Sequence, residues 1–368
     1  MDSFMKIIVI GGGIAGISIA AELSRTHQVT LLEMEQQLAH HTTGRSAAMY
    51  LGSYGDANVQ ALTGASLDIY TELSHEYGYP LLTPREMVQI LDHHQLNELD
   101  ETLTKHPAMK IISVDDLMKM APYINRDIVG AVLRDASGYD IDVAGLHQTY
   151  VRRFTANGGV IEKSHEVTDI TFDSTGSSTV RTTSQTFHAD LIVNAAGAWG
   201  NYVAERAQCA TIPLEPLRRT IFISKLSQAF EPGPMVLRHP EEFYFRVDRG
   251  TVLGSPADET PSVPCDAQPE EIDVAMAIGA INEFTTLNVR SVESTWAGLR
   301  TFTSDRSPAM GSNSDQSNFF WFCGQGGYGI QMAPKLAVLA TDVINNTVKA
   351  TDANLVSALS PRRFSSQN

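Results

Sequence analysis

The sequence predicts an α/β fold in which a doubly wound, Rossmann-like domain, assembled from separated segments, is interrupted by a second, α+β domain with a mostly antiparallel sheet. Three observations support this prediction: a length of 368 residues, a strand–glycine turn–helix–strand unit near the N-terminus, and several short strand signals in the middle of the chain. At roughly 150 residues per domain, this length indicates two domains or one large discontinuous fold.

The composition restricts the partners of the protein. Apolar residues make up 43% and charged residues 19% of the chain, which is ordinary for a globular protein. The formal charge of −15 argues against nucleic acid and anionic lipid as partners, because both are bound through Lys and Arg. Cys209, Cys265 and Cys323 form no CxxC pair, so neither a disulfide framework nor a metal site is expected.

The N-terminal region shows no targeting signal. It lacks the basic and apolar regions of a signal peptide. The uncharged run 7–21 has 15 residues, fewer than the roughly 20 that are needed to span a bilayer. The sequence therefore predicts a cytoplasmic protein without a membrane span.

The first predicted element is a βαβ unit with a strand at 7–10, a helix at 14–24 and a second strand at 28–33. A G-x-G-x-x-G turn joins the first strand to the helix, which permits a tight turn and close approach of a pyrophosphate to the helix N-terminus. An acidic residue ends the second strand, where it can accept hydrogen bonds from a ribose. The dinucleotide contacts predicted here are Gly11, Gly13, Ile14, Ala15, Gly16 and Glu33.

The remaining elements follow in chain order. Residue patterning predicts helices at 95–104, 114–120, 270–283 and 332–344, and a helix from the N-cap Asp142 to Phe154. Strands are predicted at 167–172, 179–187, 191–197, 221–224, 243–247, 251–253 and 319–323, with a hairpin turn at 248–250 and a glycine-rich turn at 324–329. The Pro- and Asp-rich segment 257–266 is expected to be a mobile loop. The predicted dinucleotide domain comprises 1–80, 140–210 and 296–368, and the predicted substrate domain comprises 81–139 and 211–295.

Three further segments favour FAD over NAD as the dinucleotide. Residues 42–48 contain a Gly-Arg-Ser turn after the second strand, which suits the wrapping of a long cofactor. Small residues at 194–197 end a buried strand and leave room for cofactor contact. The turn at 324–329 precedes a helix whose N–H groups and dipole can support negative charge on a reduced flavin. Each segment alone is compatible with an ordinary tight turn, but together they favour FAD.

These motifs resemble those of the D-amino-acid oxidase/glycine oxidase superfamily of FAD enzymes. The matching segments extend over the whole chain: the first glycine turn with Glu33, 43–46, 194–199, Trp296-Ala-Gly-Leu-Arg300 and 326–329. Within that superfamily the sequence most resembles the bacterial FAD-dependent D-arginine dehydrogenases, through 41–48, 140–148, 325–331 and 359–363.

The resemblance implies FAD bound without a covalent link, because family members with such a link carry a cysteine near residues 300–303, where this sequence has none. The cofactor contacts that it implies are Thr42, Thr43, Gly44, Arg45, Ser46, Ala47, Val167, Ala195, Gly197, Trp199, Arg300, Gly326, Gly327, Tyr328, Gly329, Ile330 and Gln331.

The resemblance also implies four catalytic residues. Arg219 and Arg300 would hold the substrate carboxylate, since a guanidinium donates two parallel N–H···O bonds. Tyr54 and Tyr244 would orient the amine and the carboxylate through their hydroxyl groups.

Four more substrate contacts are implied. Glu86 would meet a cationic side chain, which favours basic D-amino acids such as D-arginine or D-lysine. Gly327 and Gln331 would lie next to the substrate. Met49 stands where the family has a histidine, so the sequence predicts a changed substrate preference or pH profile.

The reaction that the resemblance implies is oxidative deamination. Hydride transfer from Cα to flavin N5 gives an imino acid, which water converts to a 2-oxo acid and ammonia, and a quinone or another acceptor takes the electrons. The sequence requires no dedicated base, since pocket tyrosines or water could accept the amine proton. Two alternatives stay open: a glycine/sarcosine-type oxidase that releases hydrogen peroxide, and a flavin-binding scaffold or electron carrier, against which the presence of both substrate arginines argues.

Overall fold

The computed structural model describes residues 4–174 and 176–364. Its strands, in chain order, are β1 (Lys6–Ile10), β2 (Gln28–Glu33), β3 (Met49–Tyr50), β4 (Leu82–Pro84), β5 (Met87–Leu91), β6 (Lys110–Ile112), β7 (Ala131–Asp135), β8 (Tyr139–Ile141), β9 (Val160–Lys163), β10 (Val167–Phe172), β11 (Ser178–Thr182), β12 (Thr186–Ala189), β13 (Leu191–Asn194), β14 (Leu214–Phe230), β15 (Met235–Arg238), β16 (Phe243–Ser255), β17 (Thr260–Pro261), β18 (Ser294–Thr303), β19 (Ala309–Ser312) and β20 (Phe319–Cys323).

The α-helices occur between some of these strands and after the last one. They are α1 (Ile14–Leu23), α2 (Ala57–Tyr77), α3 (Leu99–Lys105), α4 (Val114–Met120), α5 (Val143–Ala156), α6 (Gly200–Arg206), α7 (Glu271–Phe284), α8 (Gly329–Ile344) and α9 (Ala353–Leu359). The predicted N-cap of α5 is confirmed, since the Asp142 carboxylate accepts a hydrogen bond from the Gly145 N–H at 2.8 Å. Among the described residues, no helix combines the length and the apolar character needed to cross a membrane.

A six-stranded sheet forms the centre of the first layer, in the order β19–β20–β13–β1–β2–β9. Its strands run parallel except for β19, which pairs antiparallel with β20. Successive residues of β1 point to opposite faces: Ile7 and Val9 pack in the cluster that contains α1 and α8, whereas Ile8 and Ile10 pack against β10–β12 and α6. The sheet is therefore buried on both faces, as the β-branched run at 7–10 predicts.

An eight-stranded sheet forms the second layer, in the order β17–β14–β16–β15–β5–β7–β6, with β18 paired to β14. Its pairings are antiparallel, apart from the parallel pair β15–β5. Residues of α4 and α7 cover one face in a separate apolar cluster. The predicted α/β architecture with a second, mostly antiparallel sheet is confirmed.

Three predicted elements differ from the structure. The predicted hairpin turn at 248–250 is wrong, because these residues continue β16, and Arg249, at φ 53°, lies where the register with β14 shifts. The predicted strand at 179–187 is two strands, β11 and β12, which pair as a hairpin. Helix α8 begins at Gly329, three residues before the predicted start, because the glycine-rich turn runs directly into it.

The placement of the predicted domains and loop can also be compared with the sheets. Every strand of the six-stranded sheet lies in a segment predicted for the dinucleotide domain, whereas β18 begins before the predicted boundary at 296 and pairs with β14. The domain division stays a prediction. The segment 257–266 contains β17, which pairs with β14, so part of the predicted loop is ordered as sheet.

Candidate active site

The first glycine turn lies where three backbone segments meet. Gly11 has φ +108°, and a Cβ atom there would lie 2.5 Å from the carbonyl oxygen of Ala195. A Cβ atom on Gly16 would overlap the carbonyl oxygen of Gly11. These contacts explain the first and third glycines, since any side chain would separate α1 from β1 and β13.

The N-terminus of α1 is open toward a ligand. Its N-cap residue, Gly13, has no side chain to cap the helix, and the first turn carries no acidic residue. The Ile14 N–H donates to the Thr43 hydroxyl at 3.0 Å, which ties the predicted 42–46 turn to the helix. Free N–H groups and the positive end of the helix dipole favour a phosphate at this position.

Glu33 stabilises the turn from the end of β2. One carboxylate oxygen accepts a hydrogen bond from the Gly12 N–H at 2.6 Å, and the other accepts one from the Glu35 N–H at 2.9 Å. The residue is buried, yet it lies in the wall of the adjoining cavity. Its position next to the glycine turn agrees with the predicted contact to a ribose.

A cavity of about 460 Å³ runs from the glycine turn of the first sheet to the face of the second. Most of the predicted site residues line it. They are Gly11, Gly13, Ile14, Ala15, Glu33, Thr42, Thr43, Arg45, Ser46, Ala47, Met49, Tyr54, Val167, Ala195, Gly197, Trp199, Arg219, Tyr244, Arg300, Gly326, Gly327, Gly329 and Ile330.

Four other predicted residues lie behind this wall. Gly16 packs α1 against Gly11, and Gly44 donates its N–H to the carbonyl oxygen of Ala39 at 3.1 Å. Tyr328 stacks edge to face on Tyr54, with ring centroids 5.0 Å apart. The Gln331 amide accepts a hydrogen bond from the Leu51 N–H at 3.1 Å and donates to Thr63, so the structure makes it a support for the wall rather than a direct contact.

The structure corrects the placement of Glu86. Its carboxylate forms a two-pronged ion pair with Arg134, whose Nε lies 2.7 Å from one oxygen and whose Nη2 lies 2.5 Å from the other. Glu86 is absent from the cavity lining. The reason is local: Glu86 immediately precedes β5, and β5 pairs with β7, which carries Arg134.

The second glycine turn closes the cavity at the N-terminus of α8. Gly324 and Gly326 have φ values of +71° and +54°, and the Gly326 N–H donates to the Thr301 carbonyl oxygen at 2.8 Å. A Cβ atom on Gly327 would lie 2.6 Å from Arg300 Nε. The first turn of α8 has neither a capping side chain nor an acidic residue. Its positive end therefore favours negative charge in the cavity.

The geometry fits FAD along the length of the cavity. One end provides an uncapped helix N-terminus beside Glu33, and the other provides the α8 turn. Within the described residues, both amide atoms of Gln325 and Arg300 Nε are buried without a hydrogen-bond partner, which leaves polar atoms for a ligand. When bound, FAD supplies a two-electron acceptor, and the chain supplies its position and electrostatic surroundings.

The two predicted substrate arginines lie on adjacent antiparallel strands. In the β14–β18 register, Arg219 is opposite Gly298 and Leu217 is opposite Arg300. The two arginines are therefore diagonal neighbours on one face of the sheet. Both are buried, at 5% and 9% exposure, and both line the cavity.

The two predicted tyrosines surround these guanidinium groups. Arg300 Nη2 donates to the Tyr54 hydroxyl at 3.1 Å, and Arg219 lies over the Tyr244 ring at 5.7 Å. Burial raises the pKa of Tyr54 well above its ordinary value, against the lowering effect of Arg300. Tyr54 is therefore protonated at neutral pH and serves as a hydrogen-bond donor, which removes it as an acceptor of the amine proton.

Two acidic residues that carry no sequence motif also reach this cluster. Glu241 accepts hydrogen bonds from Tyr54 at 3.3 Å and from Arg219 at 3.1 Å, and it lines the cavity. Glu259 contacts both Arg219 and Arg300. The sequence offered one signal for Glu241, its position three residues before Tyr244; the position of Glu259 follows only from the pairing of β17 with β14.

One part of the cavity wall is apolar. Met49 and Leu51 come from the chain around β3, Met87 comes from β5, and Met235 and Leu237 come from β15. These side chains belong to one apolar cluster, which Tyr54 and Tyr244 also join. Among the described residues, this cluster itself contains no charged side chain, and the nearby carboxylate of Glu241 is paired with Arg219.

Two nucleophilic or basic groups near the cofactor region are engaged elsewhere. The His41 ring donates a hydrogen bond to the Glu35 carboxylate at 3.0 Å and packs on Trp199. Together with His40, Glu35 and His41 bring three potential metal-ligand atoms within 4.8 Å of one another, an arrangement that this hydrogen bond already explains.

Burial raises the pKa of the Cys323 thiol to about 12, and the thiol donates to the Asn194 carbonyl oxygen at 3.1 Å. Non-covalent binding of FAD stays a prediction.

Comparison with known proteins agrees with this geometry. A curated relative, glycerol 3-phosphate dehydrogenase of Caloramator mitchellensis, is 23% identical over 365 residues, which cover 93% of this chain and 74% of the relative. L-proline dehydrogenase from P. horikoshii has a similar fold, with a TM-score of 0.86 and 20% identity over 100% of both chains. Glycine oxidase from Geobacillus kaustophilus also has a similar fold, with a TM-score of 0.82 and 18% identity, over 94% of this chain and 96% of the oxidase.

A family model shows the membership of the chain more directly. The model described as FAD dependent oxidoreductase, or DAO, matches residues 6–343, which include both glycine turns and both arginines that are predicted to bind substrate. The chain therefore belongs to the DAO family of FAD-dependent oxidoreductases, with FAD as its cofactor.

Proposed function

We propose that this protein is an amino-acid dehydrogenase that oxidises the Cα–N bond of a D-amino acid. The observation that carries the proposal is the convergence of Arg219 and Arg300 on one buried wall of the cavity, next to the α8 turn. Two guanidinium groups suit a single carboxylate, because each offers paired N–H donors in a plane. The named activities of two structural neighbours, an L-proline dehydrogenase and a glycine oxidase, are consistent with an amino-acid substrate.

Each polar group near the arginines has a definite task in this proposal. The arginines hold the carboxylate and so orient Cα toward the flavin ring. Tyr54 remains protonated and donates to Glu241, which keeps this carboxylate beside the substrate amine. The amine must lose a proton before oxidation, and Glu241 or water accepts it. Loss of Cα–H with its electron pair then leaves an imino acid, which water hydrolyses to a 2-oxo acid and ammonia.

The proposed D configuration of the substrate and its proposed side-chain type are supported by different observations. The D configuration rests on the resemblance of residues 41–48 and 325–331 to D-arginine dehydrogenases. The predicted preference for basic side chains depends on Glu86, which the structure pairs with Arg134 outside the cavity. The side-chain wall of Met49, Leu237 and their neighbours is apolar. We therefore propose D-methionine, D-leucine and similar substrates ahead of D-arginine.

The alternative of a glycine/sarcosine-type oxidase is supported by the fold of glycine oxidase. It differs from the main proposal in two measurable ways. A glycine-type enzyme would not need the apolar wall, and an oxidase would release hydrogen peroxide in air. The electron acceptor of the dehydrogenase is an unidentified quinone or other carrier.

The test is anaerobic mixing of the holoenzyme with D- and L-methionine, D-leucine, D-arginine, glycine, sarcosine and glycerol 3-phosphate, while flavin absorbance is followed. We expect rapid bleaching by D-methionine and D-leucine and slower bleaching by D-arginine. Bleaching by L-methionine alone would reverse the stereochemistry. Bleaching by glycerol 3-phosphate, with none by any amino acid, would overturn the proposal.

A further inference from the structure

We propose that Glu259 is a built-in carboxylate that competes with the substrate for Arg219 and Arg300, and that Arg306 limits this competition by holding Glu259. The inference rests on the proposed function, because it requires the two arginines to bind a substrate carboxylate. In addition to the residues that bind the substrate, the inference names one residue, Glu259, that controls how tightly they bind it.

Glu259 contacts two arginines that line the cavity, Arg219 and Arg300, and one at its rim, Arg306, which lies outside the lining. Oε1 lies 3.4 Å from Arg219 Nη2 and 3.3 Å from Arg300 Nη2. Oε2 lies 2.5 Å from Arg306 Nη2, and Arg306 Nη1 lies 3.3 Å from Oε1. The contact at the rim is therefore the short one, and the two contacts to the substrate arginines are long. Glu259 can be displaced from these arginines while it keeps its ion pair with Arg306.

Glu259 contacts the donors that a substrate carboxylate needs. Arg219 already uses Nε for the Asp258 carbonyl oxygen and Nη1 for Glu241, so Nη2 is the donor that Glu259 takes. Arg300 Nη2 is shared between Tyr54 and Glu259. A substrate carboxylate seated between the two arginines would meet Glu259 at both.

The charge balance gives the direction of the effect. Three guanidinium groups, those of Arg219, Arg300 and Arg306, face two carboxylates, Glu241 and Glu259. One positive charge remains, and the substrate carboxylate neutralises it. Without Glu259 the cluster would carry a net charge of two positive units, so an anionic ligand would bind more tightly. Conversely, loss of Arg306 would free Glu259 to approach the other arginines.

The backbone on either side of Glu259 is fixed, so only its side chain needs to move. The Asp258 carboxylate accepts a hydrogen bond from the Thr220 N–H at 2.6 Å, and Thr260 pairs with Arg218 in the β14–β17 register. The side chains of Glu259 and Arg306 are 30% and 46% exposed, and neither residue lines the cavity, so both lie outside the lining and reach solvent. Rotation of one side chain toward solvent thus exposes the two arginines.

The experiment measures binding of benzoate, a carboxylate that cannot be oxidised at Cα, through the perturbation of flavin absorbance in the holoenzyme. The variants are Glu259→Gln, Glu259→Ala, Arg306→Gln and the double variant Glu259→Gln/Arg306→Gln. Glu270→Gln is the matched control, because Glu270 pairs with Arg218 outside the cavity and its loss changes the net charge equally. Flavin content and far-UV circular dichroism establish that each variant is folded.

We expect both Glu259 variants to lower the Kd for benzoate by about tenfold, since a competing charged hydrogen-bond acceptor is removed. Arg306→Gln should raise the Kd several-fold, and this effect should vanish in the double variant. Glu270→Gln should leave the Kd within twofold. An unchanged or higher Kd in both Glu259 variants, or an equal decrease in Glu270→Gln, would overturn the inference.

The proposed function fails in a different way. If Arg300→Lys and Arg219→Lys bind benzoate as well as the natural protein does, the arginines do not hold a carboxylate. If benzoate fails to bind to the natural protein and to Glu259→Gln alike, the carboxylate site itself is absent, and both proposals fall. If the arginine variants lose binding but the Glu259 variants gain none, only the inference on Glu259 falls.

Discussion

Arg219 and Arg300 approach each other because they are diagonal neighbours across the β14–β18 pair, two residues out of direct register. Both residues are carried by strands rather than by a loop, and both are almost completely buried. Burying two like charges at one site is costly unless counter-charges are present. Glu241 and Glu259 supply these charges in the structure, and under the proposed function the substrate carboxylate would supply a further one.

Replacement of Arg300 should affect substrate binding more than folding. Arg300→Lys keeps the charge but removes the planar pair of donors. We expect kcat/KM for D-methionine to fall on the order of 100-fold, since a charged hydrogen bond is lost in a buried site. Steady-state kinetics with an artificial electron acceptor checks this. Arg126→Lys, at an exposed ion pair with Asp115, serves as the control and should change nothing.

Glu86 should not govern the choice of substrate. Its partner is Arg134, and both side chains are about one-third exposed, so the pair contributes at most about 1 kcal/mol to stability. Glu86→Leu should therefore leave the ratio of kcat/KM for D-arginine to that for D-methionine within twofold. A selective rise in KM for D-arginine would return Glu86 to the substrate site.

The apolar wall should be convertible to a basic specificity. Leu237 is partly buried and lines the cavity, so Leu237→Glu places a carboxylate in its apolar wall. We expect kcat/KM for D-arginine to rise relative to D-methionine by about tenfold, because a charged hydrogen bond becomes available. Leu237→Gln has the same shape without the charge. An equal shift in both variants would show that polarity alone, and not charge, is responsible.

Tyr54 should act by position and not by ionisation. Burial holds its pKa above the ordinary value of 10.0, so the hydroxyl remains protonated from pH 6 to pH 10. Tyr54→Phe should lower kcat/KM about tenfold through the lost hydrogen bonds to Arg300 and Glu241. The acidic limb of the pH profile should keep its apparent pKa. Loss of that limb in the variant would identify Tyr54 as the titrating group.

The flavin should leave the protein on denaturation. Cys323 is the cysteine whose thiol lines the cavity next to the α8 turn, but burial keeps it protonated, with a pKa of about 12. Precipitation with acid should release all FAD into the supernatant, from the natural protein and from Cys323→Ala alike. Yellow precipitate from the natural protein, with colourless precipitate from the variant, would demonstrate a covalent link to Cys323.

The cofactor half of the site was largely predictable from the sequence, and the substrate half was not. The glycine turns are recognisable because their backbone conformations exclude other residues, as at Gly11 and Gly326. Arg219 and Arg300 could be named only through family resemblance, since nothing local distinguishes Arg219 from Arg218. The prediction for Glu86 missed its ion pair with Arg134, which lies opposite Val88 in the β5–β7 pair, because this register cannot be read from the sequence.

Strand β18 contributes both to the predicted substrate site and to the glycine turn of the predicted cofactor site. It carries Arg300, and its next residue, Thr301, accepts the hydrogen bond from Gly326 that holds the turn before α8. Phe302 then bridges to Gln325 in the same turn. On β18, Arg300 is thus one or two residues of extended backbone, about 3–7 Å, from the residues that contact the turn before α8. Because these contacts are backbone hydrogen bonds, a hinge motion between the two sheets would have to break them, so we expect substrate to enter through rearrangement of side chains such as Glu259 instead.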